Sequence, residues 1–198
     1  TLTNATINAG EDSDAIYCDD DLTIVCVGSN FIKGSADAYN ALTTAGNLTI
    51  EGEGSLTIDS FENAISSDLN VNINCDVNIY DVYSAVAAFE DICVDNSRID
   101  IASNSSGVSA LGNITFTDSQ VCINSPSGIV TFGSCEFNNC PALVIASRSD
   151  DSDPSGIGIV TFSEVVFKNT FGSITADDIT VGAVSFDAEI PAKITFDG

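Results

Sequence analysis

A short phrase returns along the chain about every 22 residues: a small polar residue, then Ala or Gly, then an aliphatic one. It reads Asp14-Ala15-Ile16, Asn40-Ala41-Leu42, Asn63-Ala64-Ile65, Ser84-Ala85-Val86, Ser106-Gly107-Val108, Ser127-Gly128-Ile129 and, after an insertion, Ser155-Gly156-Ile157. Successive starts differ by 26, 23, 21, 22, 21 and 28 residues. An Asn or Asp several residues later introduces a second β-type pair in step with the first, as in Asn47 before Leu48 and Ile50 or Asn70 before Val71 and Ile73. A period of this length is the mark of a solenoid, whose repeats bury their apolar side only by stacking on their neighbours.

The apolar clusters between these marks alternate with period two and show no i, i+3, i+4 spacing, so each repeat holds strands and no helix. A further strand lies between the two marks, at Leu56 and Ile58, Val77 and Ile79, Ile99 and Ile101, Val121 and Ile123. Three short strands per coil of about 22 residues predict an all-β, single-domain right-handed parallel β-helix of eight to nine coils, each about 4.8 Å above the last. A leucine-rich repeat of similar length would need its fixed Leu spacing and a helical segment. The domain is expected to span residues 1–198, with 177–198 losing the pattern and forming a cap or a link to a further domain.

Aligning the coils stacks Asp21, Asn47, Asn70, Asp91, Asn113, Ser134 and Glu164 in one column and Asn96, Asp118, Asn139 and Asn169 in another. These residue types accept left-handed backbone and bond to neighbouring backbone groups, as a sharp corner requires. Asp91 falls between Asn70 and Asn113, which keeps carboxylates from stacking on one another. Two unit charges one coil apart would repel by about 1 kcal/mol even in water.

Composition narrows the function. With 29 acidic and 5 basic residues the net charge is −24, and no basic stripe is available for nucleic acid or anionic membrane. No apolar run approaches the roughly 20 residues of a membrane-spanning helix. The chain opens on Thr1 in mid-pattern and is read as the mature domain of a larger surface protein, monomeric in itself. Seven cysteines without a CxxC pair and without any His form neither a zinc site nor a disulfide framework. Cys18, Cys75 and Cys135 alternate with inward positions and are expected in the core, whereas Cys93 and Cys122 should point outward. Sequons at Asn4, Asn47, Asn104 and Asn113 lie in Asn- and Thr-rich turns, where such triplets arise by chance.

The absence of His removes Ser-His and Cys-His nucleophiles. The parallel β-helix is shared by pectin-degrading enzymes, whose hydrolases need a carboxylate pair with His and a basic motif. A lyase needs Arg or Lys as base beside a calcium-neutralised carboxylate. Only Lys33, Arg98, Arg148, Lys168 and Lys193 are on offer. Arg98, beginning a strand near Asp76, Asp95 and Asp100, and Lys168, in a turn column, are the two places to look; the expectation for Arg98 is a surface ion pair.

Binding is the better prospect. Calcium takes six to eight oxygen ligands, and two places collect them. One is Asp12 and Asp14, with Glu11, approaching Asp37 and Asn40 of the next coil. The other is the insertion 147–155, carrying Asp150, Asp151 and Asp153. For a glycan, outward aromatics matter: Tyr17 and Tyr80 alternate with inward residues, and Tyr39 and Tyr83 sit at the start of third strands. Phe116, Phe137 and Phe167 share a column and are expected to stack in the core. The Thr49, Thr115, Thr131 and Thr161 occurrences are too interrupted for an outward ice-binding array.

The stretches from Asp14 to Ile24 and from Asn40 to Ile50 resemble the "DAIHADGDLTI" phrase of a family of cell-surface carbohydrate-binding β-helix domains of Gram-positive anaerobes, similar in fold to polysaccharide lyases. The resemblance covers roughly residues 10–125. It implies an extracellular right-handed β-helix with calcium in acidic turns and affinity for plant or cell-wall polysaccharide without cleavage. Tyr17 stands at the phrase's His and Asp20 at its Gly, and later coils read Ser-Gly-Val or Ser-Gly-Ile. The resulting expectation is a non-catalytic, calcium-assisted polysaccharide-binding module, secreted or on the cell surface, with Tyr17, Tyr39, Tyr80 and Tyr83 toward sugar and Asp12, Asp14, Asp150, Asp151 and Asp153 toward metal. A structural stalk or adhesin without glycan ligand is the alternative, and a calcium-dependent polysaccharide lyase the third reading.

Overall fold

A computed structural model describes residues 1–35, 38–147, 156–183 and 193–197. Among them are twenty β-strands and no helix, and every strand pairing is parallel. The strands wind into a β-solenoid of about eight turns, each coil contributing one rung to each of three faces. The first face carries Leu22–Val27, then 48–51, 71–74, Ile92–Asp95, Ile114–Thr117, Cys135–Asn138, Glu164–Lys168 and Lys193–Asp197. The second runs from Thr6–Asn8 and Ser29–Lys33 to Ala142–Ser147 and Gly172–Ala176. The third runs from Ile16–Cys18 and Asn40–Thr44 to Ile157–Thr161 and Ile179–Ala183. The described parts of 177–198 thus add rungs to the third and first faces.

Alternation sends one residue in two inward, and stacking turns these into ladders of like residues. Ile32, Ile58, Ile79, Ile101, Ile123 and Ile145 line the second face, each at most 1% exposed. Leu42, Ile65, Val86, Val108, Ile129 and Ile159 line the third. On the first face Phe116, Phe137 and Phe167 stack with centroids 5.1 and 5.2 Å apart, as expected for a core ladder, and the exposed Phe196 adds a further ring at 5.2 Å. Each buried Ile or Leu contributes roughly 2 kcal/mol, summed coil after coil.

The small residue of the repeated phrase has a packing cause. Ala41, Ala64 and Ala85 are buried where the second and third faces close on one another. In later coils the clearance shrinks: a Cβ on Gly107 would lie 2.4 Å from the Gly128 carbonyl oxygen and 2.7 Å from Ile123 Cγ2. Gly128 meets the same limits, 2.5 Å from the Gly158 oxygen and 2.7 Å from Ile145 Cγ2.

The two polar columns do different work. Asn96, Asp118, Asn139 and Asn169 take positive φ, between 47° and 55°, and turn the chain from the first face to the second. The Asp21 column takes no such φ and instead forms a ladder between coils. The Asn47 backbone N–H and side-chain amide both donate to Asp21 Oδ1, at 2.7 and 2.9 Å. The Asn70 amide donates to Asn47 Oδ1 at 2.9 Å, and the Asp91 N–H to Asn70 Oδ1 at 3.0 Å. The Asn113 N–H then donates to Asp91 Oδ1 at 2.6 Å, and the Ser134 N–H to Asn113 Oδ1 at 2.9 Å. A carboxylate fits such a ladder where its neighbour supplies N–H groups, and Asp21 and Asp91 each have an Asn on the next coil, Asn47 and Asn113, that does so.

Several positions differ from the sequence expectation. Thr131 and Thr161 are fully buried, their hydroxyls donating to the Gly112 and Gly133 carbonyls, because they close the inner corner between the third and first faces. Lys168 ends a first-face strand and is not in a turn. All seven cysteines are free, with Cys26, Cys75, Cys135 and Cys140 buried. Cys18 is only half-buried, at a thinly covered rung. Cys93 is exposed and Cys122 half-exposed, the outward positions expected for both. Burial pushes the Cys135 thiol well above its ordinary range.

Candidate functional site

The residue just ahead of the third-face phrase points outward, and stacking aligns these residues in a column of Ser13, Tyr39, Glu62, Tyr83 and Ser105. Inter-coil bonds hold its start in register: the Tyr39 N–H donates to the Ser13 carbonyl at 3.2 Å and the Asn63 N–H to the Tyr39 carbonyl at 2.8 Å. Immediately before it, Asp12, Ser60 and Asp81 take positive φ, at 53°, 65° and 52°, and throw the corner outward. A cleft of about 720 Å³ runs along the coil axis at this corner between the second and third faces. Its lining includes Glu11, Asp12, Tyr39, Phe61, Glu62, Asp81, Tyr83 and Asn104, drawn from five successive coils.

Tyr39 and Tyr83 are 46% and 60% exposed and flank Glu62, two coils or about 9.6 Å apart along the axis. Phe61 is buried beneath them and backs the cleft. The Tyr39 hydroxyl donates to Asp12 Oδ1 at 3.1 Å, bridging adjacent coils. Two exposed phenol rings beside carboxylates and an amide supply what a sugar asks for: flat apolar area together with hydrogen-bond acceptors and donors.

The other sequence candidates lie elsewhere. Tyr17 is exposed on the third face, where its hydroxyl donates to Asp19, and that bond pushes the phenol's pKa up. Tyr80 belongs to the second face, in a shallow hollow with Phe31, Thr57 and the Lys33–Asp59 pair. Burial raises its pKa, with Asp100 adding to the effect. Only Tyr39 and Tyr83 come together.

Asp14 heads a second side-chain ladder: its Oδ1 accepts from the Asn40 N–H at 3.1 Å and the Asn40 amide at 2.7 Å, and Asn63 donates to Asn40 Oδ1 at 3.0 Å. Asp12 accepts from Tyr39. These carboxylates are spent on holding coils together, and among the described residues no three acidic or Cys side chains converge on a point where a metal ion would sit. Asp150, Asp151 and Asp153, and Asp37, lie outside the described residues.

The two basic side chains weighed as lyase bases are paired, as expected for Arg98. Arg98 meets Asp100 at 3.2 Å, with its backbone N–H on Asp76, and Lys168 meets Glu136 at 3.4 Å. Neither lines the cleft.

Sequence reasoning named Glu11 only toward calcium and passed over Glu62, Phe61 and Asp81. The signal was present for Glu62, since aligning the phrases places it between Tyr39 and Tyr83. A second outward column also went unread: Phe89, Leu111, Phe132 and Phe162 follow the third-face strands, and Phe89 and Phe132 are 63% and 52% exposed. Phe132 and Phe162 stack at 4.7 Å and 19°, so their faces cover one another and their edges meet solvent. Such a row offers little ring face to a sugar.

A family model described as "Carbohydrate-binding domain-containing protein" matches residues 35–181, well over half of the chain, and the chain belongs to that family. The match takes in Tyr39, Phe61, Glu62, Asp81, Tyr83 and Asn104 of the cleft. Comparison with curated proteins and with solved structures found no match.

Proposed function

We propose that this member of the carbohydrate-binding domain family is an extracellular polysaccharide-binding module that holds a short stretch of plant or cell-wall glycan in the cleft between Tyr39 and Tyr83, without cleaving it. The observation that carries the reading is the alignment of Tyr39, Glu62 and Tyr83 along one groove within the matched region. A groove parallel to the coil axis suits an extended polymer, because successive coils meet successive sugar units. Ring stacking against Tyr supplies affinity, and the carboxylates and Asn104 accept or donate to sugar hydroxyls.

Binding without lyase turnover is supported by the chemistry at hand. The chain has no His, and Arg98 and Lys168 are committed to exposed ion pairs away from the groove. Calcium assistance is a separate part of the proposal, resting on the acidic run Asp150, Asp151 and Asp153 in the sequence.

A panel of cellulose, xylan, pectin, peptidoglycan and deacetylated chitin, run with calcium and with chelator while unsaturated product is assayed, tests the reading. Retention without product is expected. Absence of retention on every polymer would overturn it in favour of an adhesin or stalk, a reading favoured by the exposed Phe89, Leu111 and Phe132 row.

A further inference from the structure

The cleft combines a glycan-shaped groove with an unusual charge. Among the described residues, four carboxyl side chains, from Glu11, Asp12, Glu62 and Asp81, line it, and no Lys or Arg does. The cations nearest in kind are occupied: Lys33 with Asp59 at 3.6 Å on the second face, and Arg98 with Asp100. The net charge of −24 surrounds the groove with more of the same sign. A uronate polymer would carry a carboxylate on every ring into this wall, with no guanidinium or ammonium to receive it. An amino sugar would carry the opposite charge and three N–H donors into a set of acceptors.

We infer that the Tyr39–Tyr83 cleft selects glycans bearing free amino groups, with 2-amino-2-deoxyhexose units as the ligand class, and rejects uronates. The inference rests on the proposed glycan-binding reading, and goes beyond it by assigning Glu11, Asp12, Glu62 and Asp81 as the residues that decide among sugars. Tyr39 ties Asp12 in place, so the carboxylate is presented in a fixed position beside the ring. Glu62 lies between the two tyrosines in the same column, one coil from each and so within reach of a ring stacked on either.

The test is isothermal titration of the full chain at about pH 5.5, where ordinary Asp and Glu carboxyls are largely ionised and amines protonated. The buffer holds a chelator, and the ligands are three oligosaccharides of equal length: glucosamine, N-acetylglucosamine and galacturonate. The amino oligomer is expected to bind about tenfold or more tighter than the acetylated one, and to weaken as salt is added. The galacturonate should not bind. The double variant Glu11→Gln/Glu62→Gln should abolish the preference, while Glu51→Gln/Glu53→Gln removes equal charge from exposed positions on another corner and should leave it intact. Equal or tighter galacturonate binding would overturn the inference while leaving a glycan-binding module. So would equal affinity for the amino and acetylated oligomers, or a preference lost equally in the control variant. No binding of any oligomer would overturn the glycan reading itself, and the selectivity with it.

Discussion

The Tyr39 hydroxyl donates to Asp12 Oδ1 at 3.1 Å across adjacent coils, so one residue expected to stack on sugar holds one expected to bind metal. The bond orients the ring and uses an acceptor of the carboxylate, which couples the shape of the cleft to its charge. Two residues of different expected roles thereby belong to one site.

Tyr83→Ala should weaken glycan binding by about tenfold, the loss of roughly 1.4 kcal/mol from one stacking ring. Tyr39→Phe keeps the ring and loses the bond to Asp12, so its loss should be smaller. Tyr17→Ala, on a separate part of the third face, should leave affinity unchanged. Titration of the three variants against the polymer retained in the panel checks the order; an equal loss at Tyr17 would contradict the placement of the site.

Asn70 sits at the middle of the polar ladder, donating to Asn47 and accepting from the Asp91 N–H. Asn70→Ala should cost about 1–2 kcal/mol, since a part-buried N–H and a carbonyl oxygen each lose a partner. Asn47→Asp should also destabilise, because it sets a second carboxylate against Asp21 and withdraws the amide that serves it. Urea unfolding of both variants measures these losses.

The Asn47 backbone N–H and then its side-chain amide hold the Asp21 carboxyl below the usual carboxylate range. A carboxyl whose folded pKa is depressed adds stability that is present above its unfolded value, about 3.9, and is lost as pH falls through the folded one. Asp21→Asn should therefore lower the melting temperature most near neutrality, and the gap to the parent chain should close below about pH 4. A gap independent of pH would show that the charge of Asp21 is not what the ladder uses.

Gly128→Ala should destabilise by roughly 1–3 kcal/mol, because the added methyl group meets the Gly158 oxygen and Ile145 Cγ2 inside contact distance. Ala85→Gly, at the same step of an earlier coil, removes a buried methyl group instead and should cost about 1 kcal/mol. Chemical denaturation of the pair separates an overpacked corner from an underfilled one.

In the native state iodoacetamide should label Cys93 first, since it is the exposed cysteine. Partial desolvation by its neighbours, with Asp91 and Asp95 nearby, pushes its thiol up, so labelling should rise steeply as pH is raised through and above the ordinary thiol range. Cys75 and Cys135, buried and pushed up, should react only on unfolding. Mass spectrometry of labelled peptides at two pH values gives the order.

The amino-acid sequence alone determined the period, the three strands of each coil, and which residues of each strand face the core. All of these follow from alternation and stacking, in which each residue's neighbours are its counterparts one repeat away. The Phe116, Phe137 and Phe167 ladder and the outward Tyr17 and Tyr80 were legible for that reason. What crosses a corner was not. Whether a polar column turns by positive φ, as Asn96 and Asp118 do, or by a side-chain ladder, as Asp21 and Asn47 do, depends on the angle at which two faces meet. The same angle decides that Gly107 and Gly128 have no room for a methyl group, and that Asp12, Ser60 and Asp81 open a cleft between Tyr39 and Tyr83. That geometry is set by the packed interior acting on all coils together, so only the tertiary structure could decide it.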